Sequence, residues 1–236
     1  MNAVALGVLT ALIYGFGDFF GAISSRRISP ILVSALAGWV GLFGLTTIWM
    51  TGAAAAQFSS STVLWGCLGG LCSAFGLACL YQALAIGPIS ILSPMAAVTG
   101  AVLPALVGGL VLGEKFAPSG WAALLLILIA ILLVSYHPQP GKIQRVSLKG
   151  LVLGLGAGVG IGGVLIALHQ APASDGMGAI LLMRSVNSVL LSLAVIVLVI
   201  AQRQRPKLLT DITVSMWLTV IATGLLDAAA NLLFVF

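Results

Sequence analysis

The sequence predicts an all-α integral membrane protein, and three observations carry that expectation: the composition, the length of the apolar runs and the placement of the basic residues. Of 236 residues, 61% are hydrophobic and only 6% charged, with a mean hydropathy of +1.22. So few charges cannot cover a water-facing surface, whereas in lipid the same side chains meet a solvent as apolar as themselves. Eight runs approach the roughly 20 residues that cross about 30 Å of hydrocarbon.

In chain order, the first run, Ala3 to Ser25, is followed by Arg26 and Arg27 and preceded by no basic side chain. This is the reverse of a cleavable leader, so the run is expected to stay as a span. The second, Ile31 to Thr51, opens after Ser29-Pro30, and the third, Val63 to Ile86, stops at Gly87-Pro88. The fourth, Ile89 to Leu112, contains Pro94 and Pro104; the fifth, Gly120 to Tyr136, starts after Ala117-Pro118. The stretch His137-Pro138-Gln139-Pro140-Gly141 closes it, because closely spaced prolines and glycine break helices. The sixth, Leu148 to His169, precedes Ala171-Pro172, and Gly178 to Ala201 and Ile212 to Phe236 complete the set.

The net charge of +5 does not point to nucleic acid, since the ten Lys and Arg form no stripe interleaved with aromatics. Arg26, Arg27, Lys142, Arg145, Lys149, Arg203, Arg205 and Lys207 fall in loops one, five and seven, and only Lys115 falls in an even loop. Cytoplasmic loops carry such an excess, so the amino terminus is expected outside a plasma or inner membrane, with loops one, five and seven cytoplasmic. Cys67, Cys72 and Cys79 share one apolar run without His or acids nearby and read as small core residues. His137 and His169 stand apart at helix ends, so neither a metal nor another cofactor is expected.

Glycines repeat every four residues at Gly150, Gly154, Gly158 and Gly162, and Gly66, Gly70, Ala74 and Ala78 form a similar stripe. Small residues at this spacing let helices approach closely in lipid. The segment Gly70-Leu71-Cys72-Ser73-Ala74-Phe75 matches Gly224-Leu225-Leu226-Asp227-Ala228-Ala229, each after a tryptophan, Trp65 or Trp217. The sequence therefore divides into a five-helix repeat over 1–137, a linker over 138–147 and a second, incomplete repeat of three helices over 148–236. An odd helix number per repeat requires the second copy to be inverted in the membrane.

The stretch Tyr81-Gln82-Ala83-Leu84-Ala85-Ile86-Gly87-Pro88, then Leu92-Ser93-Pro94, Pro104, Leu112-Gly113-Glu114-Lys115 and Gly120-Trp121, resembles the EamA-type families of the drug/metabolite transporter superfamily. The resemblance covers about 40 residues and includes a glycine-glutamate turn at Gly113, Glu114 and Lys115. It implies ten helices in two inverted five-helix repeats and a carrier activity, without naming a substrate. It also implies two further helices beyond Phe236, about 50 residues if the repeats share a layout, so the chain reads as truncated.

Ionisable groups in hydrocarbon cost roughly 2.5 to 3.5 kcal/mol each and default to pairing or function. Asp18, Arg184 and Asp227 are the three. At 1.5 Å per residue, Arg184 lies about 10 Å and Asp227 about 14 Å below the outer surface, so the two are expected to face each other across a polar cavity near Asn187 and Asn231. A static ion pair between the seventh and eighth helices is an equal alternative. Asp18 follows Gly15 and Gly17, which leave room for water or an amine, or else it reaches toward the interface beside Arg26. Ser93, Pro94, Ser90 and Thr99 of the proline-bearing helix, with Tyr14, Tyr81 and Gln82, are candidate cavity residues or packing residues. The expectation is a secondary active transporter that moves a small metabolite (an amino acid, amine or drug-like compound) by alternating access. Proton coupling through Asp18 or Asp227 stays open. A head-group flippase or a non-transporting scaffold is the alternative; an intramembrane enzyme lacks a nucleophile and base at matching depth.

Overall fold

The computed structural model describes residues 3–113, 115, 117–135, 147–201 and 214–233, and all its regular elements are helical. The helices are α1 (Ala3–Ser25), α2 (Pro30–Met50), α3 (Ser60–Ile86), α4 (Ile89–Leu110), α5 (Pro118–Ser135), α6 (Leu148–Gln170), α7 (Gly178–Ala201) and α8 (Val214–Leu233). Seven are long and apolar enough to cross a membrane, which makes the chain a multi-pass membrane protein. The fifth expected run, Gly120 to Tyr136, falls on α5, whose apolar stretch among the described residues is Pro118–Ala130. The linker over 138–147 and the basic loop residues Lys142, Arg145, Arg203, Arg205 and Lys207 lie mostly or wholly outside the described residues, as do Glu114 and His137.

Local chemistry sets the helix ends. Pro30 opens α2, where its missing N–H is no loss, and the Ser59 and Ser147 hydroxyls cap α3 and α6 by accepting from Thr62 N and Gly150 N. Gly113 closes the end of α4 with φ +70°, a left-handed value that glycine adopts without steric cost. Pro94 and Pro104 lie inside α4, which remains one helix and is not broken into two halves.

Side chains too small to keep backbones apart determine the packing. α3 crosses α6 where Gly76 and Gly160 meet; a Cβ on Gly160 would overlap the Gly76 backbone and lie 2.7 Å from Cys72 O. The stripe Gly150, Gly154, Gly158 and Gly162 receives α4, through Leu92, Met95, Thr99 and Leu103 respectively. Gly66 and Gly70 receive α7. α1 packs mainly on α8, and α2 lies between α7 and α8, which do not pack closely on each other. The large side chains left exposed, among them Phe16, Phe43, Leu126 and Leu218, ring the bundle where lipid would meet it.

At one end of the bundle the loop between α2 and α3 is tied to the loop between α6 and α7. Ala56 and Gly176 form an antiparallel bridge, with Met177 N donating to Ala55 O at 3.0 Å and Gln57 N to Asp175 O at 2.9 Å. Asp175, in a single 3-10 turn (Ala173–Asp175), accepts from Thr62 Oγ1 at 2.6 Å and from Ser59 N at 3.2 Å. Hydrogen bonds from Ser59 and Thr62 hold its carboxyl below the ordinary value of 3.8. A carboxyl lowered on folding stabilises above its unfolded value, and that contribution is lost as pH falls through the lower folded value.

Two outcomes follow for stability in detergent. Gly160→Ala forces α3 off α6 and should cost about 1–3 kcal/mol, as overpacking does, whereas Gly15→Ala, with nothing within 4 Å of the new methyl, should be neutral or stabilising. Thermal unfolding of the two variants checks the opposite signs. Asp175→Asn should lower the melting temperature at neutral pH and lose its difference from the parent on the acid side of 3.8. A difference that persists there would contradict the clasp's ionisation.

Candidate functional site

A polar centre forms where α1, α7, α8 and the middle of α2 meet. Arg184 on α7 is 1% exposed and pairs directly with Asp227 on α8, which is 20% exposed. The two side chains touch; the expected intervening cavity is not between them. Asn231, one turn beyond Asp227, donates to Asp227 O at 2.8 Å and to its Oδ1 at 3.4 Å, and accepts from Tyr14 Oη of α1 at 2.9 Å. Three helices distant in sequence are thus joined by one chain of polar contacts, Tyr14–Asn231–Asp227–Arg184.

Glycines make this approach possible. A Cβ on Gly17 would meet Leu226 Cβ at 3.5 Å and Asp227 N at 3.8 Å, so α1 rests on α8 beside the carboxylate. On α2, Gly38 faces the side chains of Asn187 and Ser188, and Gly41 faces Gly224 O and Ala228, so α2 lies flat between the two helices that carry the ion pair.

Asp18, half-buried and one turn after Tyr14, is an electrostatic neighbour of Asp227. Among the described residues it has no hydrogen-bond or ion-pair partner. Tyr81 is 2% exposed, its ring lies against Gly21 one turn further along α1, and the charges of Asp18, Asp227 and Arg184 all bear on it. The centre therefore holds one more acid than base.

Asn187 and Ser188, one turn along α7 from Arg184, are fully buried. Neither Oδ1 nor Nδ2 of Asn187 has a hydrogen-bond partner in the described protein, nor do Ser188 Oγ and Arg184 Nε. A buried polar group without a partner costs about 1–3 kcal/mol, and four such atoms on one helix face form a set that a polar ligand would satisfy. The donors are a guanidinium N–H, an amide and a hydroxyl, and Asn187 Oδ1 is an acceptor.

Of the residues singled out in the sequence, the structure brings together Tyr14, Asp18, Tyr81, Arg184, Asn187, Asp227 and Asn231. Others lie elsewhere. Gln82 Nε2 donates to Ala78 O of its own helix at 3.0 Å. Ser93 and Pro94 are half-buried on α4, which packs on α6, α5 and α3 and not closely on α1, α7 or α8. Thr99 donates to Met95 O and sits against Gly158. Gly113 and the exposed Lys115 belong to the α4–α5 turn, and Glu114 lies outside the described residues. Sequence reasoning passed over Ser188, whose only signal is its adjacency to Asn187, and Asp175, which looks like an ordinary loop acid.

The comparisons do not place the chain: no family model matches it, and no curated protein matches it. Among the described residues, no group of three His, Cys, Asp or Glu is positioned to hold a metal ion, and Cys67, Cys72 and Cys79 are free thiols at or near the α3 packing faces.

Removing one member of the ion pair should be worse than removing both. Arg184→Met leaves Asp227 without its partner and should cost about 3–5 kcal/mol, while the Arg184→Met/Asp227→Leu double variant should recover most of that loss. Thermal unfolding of the two single variants and the double variant measures the coupling; strict additivity would mean that the pair contributes nothing.

Proposed function

We propose that the chain is a secondary active carrier of a small polar metabolite, built on the inverted-repeat plan of the EamA-type drug/metabolite transporters and working by alternating access. The observation that carries the reading is the buried, incompletely partnered face of Arg184, Asn187 and Ser188 inside a bundle of membrane-crossing helices. Ionisable and amide groups at that depth are retained for pairing or for cargo, and here the pairing leaves donors and an acceptor over.

Helix pairing supports the repeat plan. Exchanging α1 with α6, α2 with α7 and α3 with α8 turns the α1–α8 contact into α6–α3 and the α2–α8 contact into α7–α3, and all four are extensive. Gly70 of α3 rests on Val186 Cβ and Met183 O of α7, and Gly224 of α8 rests on Val40 Cβ and Ala37 O of α2. These are the two glycines that the internal sequence match aligns. On this plan α2 and α7 flank the pseudo-two-fold axis, where carriers place their cargo. The amino terminus lies on the outer face of a plasma or inner membrane, as the basic residues of the odd loops favour.

Asp227 is committed to Arg184, so Asp18 is the acid left to take a proton or a cationic cargo group. In proteoliposomes of the full-length protein, Asn187→Ala should lower substrate flux at least about ten-fold, the loss expected for one or two buried hydrogen bonds. Asp18→Asn should abolish the response to an imposed pH gradient if protons are coupled. Absence of flux in folded parent protein would sink the carrier reading, and flux unaffected by either change would remove Asn187 and Asp18 from its pathway; thermal protection by anionic lipid head groups in place of soluble metabolites would favour a flippase.

A further inference from the structure

We propose that Asp175 is the latch of a gate that closes the α2–α3 and α6–α7 loop end of the bundle over the polar centre; the proposal rests on the carrier reading. The latch joins the two halves of the chain. Asp175 belongs to the second half, and the groups it holds, Thr62 Oγ1 and Ser59 N, belong to the first. Any rocking that separates the halves at this end has to break those bonds together with the Ala55–Met177 and Gln57–Asp175 backbone bonds.

The contact is built for close apposition. Backbones meet without side chains between them: a Cβ on Gly176 would overlap Ala55 O, and one on Gly178 would overlap Gln57 O. Gly176 also holds φ +57°, so no other residue adopts this turn without strain. Asp175 is 6% exposed although it sits in a loop between exposed neighbours, Ala173 and Ser174 on one side and Ala55 and Gln57 across from it.

Beneath the latch lies an apolar plug. Met177, Ile180, Leu181, Met183, Leu45 and Ala228 form one buried cluster, with Met183 next to Arg184 and Ala228 next to Asp227 in sequence. Along α7 the order is latch, plug and polar centre, and Met177 to Arg184 spans about 10 Å at 1.5 Å per residue. At the other end, among the described residues, the α1–α8 junction is tied by a hydroxyl pair, Ser24 and Thr219 at 2.8 Å, and by apolar contacts of Ile28, Met216 and Val220. On the repeat plan Ser29 and Met216 stand where Asp175 and Thr62 would be, so among the described residues the carboxylate latch belongs to one end.

The test reads sidedness rather than stability. Cys67, Cys72 and Cys79 are replaced by Ala, Ser188→Cys is added as a buried reporter, and a membrane-impermeant thiol reagent is applied to sealed vesicles from each face. Asp175→Asn should accelerate labelling about ten-fold from the face bearing the two loops and not from the other, the shift expected when hydrogen bonds to a charged group are weakened. Thr62→Val, which removes one donor, should do the same to a smaller degree and serves if Asp175→Asn fails to fold. Unchanged labelling in folded variants, or an equal increase from both faces, overturns the latch. Accelerated one-sided labelling, with no transport by the unsubstituted protein, upholds the gate and removes the carrier reading, whereas Asp18-dependent flux with unchanged labelling removes the latch alone.

Discussion

Arg184 in the middle of an apolar bundle is the constraint around which the other polar residues are arranged. A guanidinium cannot be left unpaired in hydrocarbon, and its neighbours cannot turn to water. Asp227 on a helix that barely touches α7 supplies the counter-charge, and α2 presents glycine at Gly38 and Gly41 so that the two helices can reach each other across it. Asn231 and Tyr14 then hold the carboxylate side and bring α1 into the same layer. A larger residue at Gly41, where a Cβ would already lie 2.9 Å from Gly224 O, would push α2 and α8 apart and disturb the one interaction that makes the arginine tolerable.

The same low-dielectric setting explains why incomplete pairing carries functional weight. In water an unpartnered Asn187 amide would cost little; here it competes with no solvent and remains a standing demand for a partner. The polar centre is also one-sided. On the repeat plan Gly38 takes the place of Arg184 and Ser73 that of Asp227, so the first half supplies space and the second half supplies charge.

Most of the helical frame was legible in the sequence because hydropathy alone decides which segments leave water. The bounds of α1 and α7 coincide with the apolar runs, and Arg184 and Asp227 could be paired by depth because rise per residue is fixed. Three things were hidden. The Asp175 clasp depends on two loops meeting, and loop acids are too common to single out. Ser93 and Pro94 looked like cavity residues because proline frees carbonyls, yet α4 turns its small-residue-matching face to α6 and lies away from the charge. The choice between a cavity and a direct Arg184–Asp227 pair, both open in the sequence, depends on the flatness of α2, a property of Gly38 and Gly41 that has meaning only once their neighbours are known.

Carbodiimide modification, from which a carboxyl engaged in an ion pair is shielded, tests the central claim that Arg184 holds Asp227 while Asp18 has no partner among the described residues. Mass spectrometry of the membrane-embedded protein after treatment should find the adduct on Asp18 with Asp227 spared, and Arg184→Met should open Asp227 to the reagent. Modification of Asp227 in the parent as readily as Asp18 would contradict the account, because the buried arginine would then lack the partner on which the centre is built.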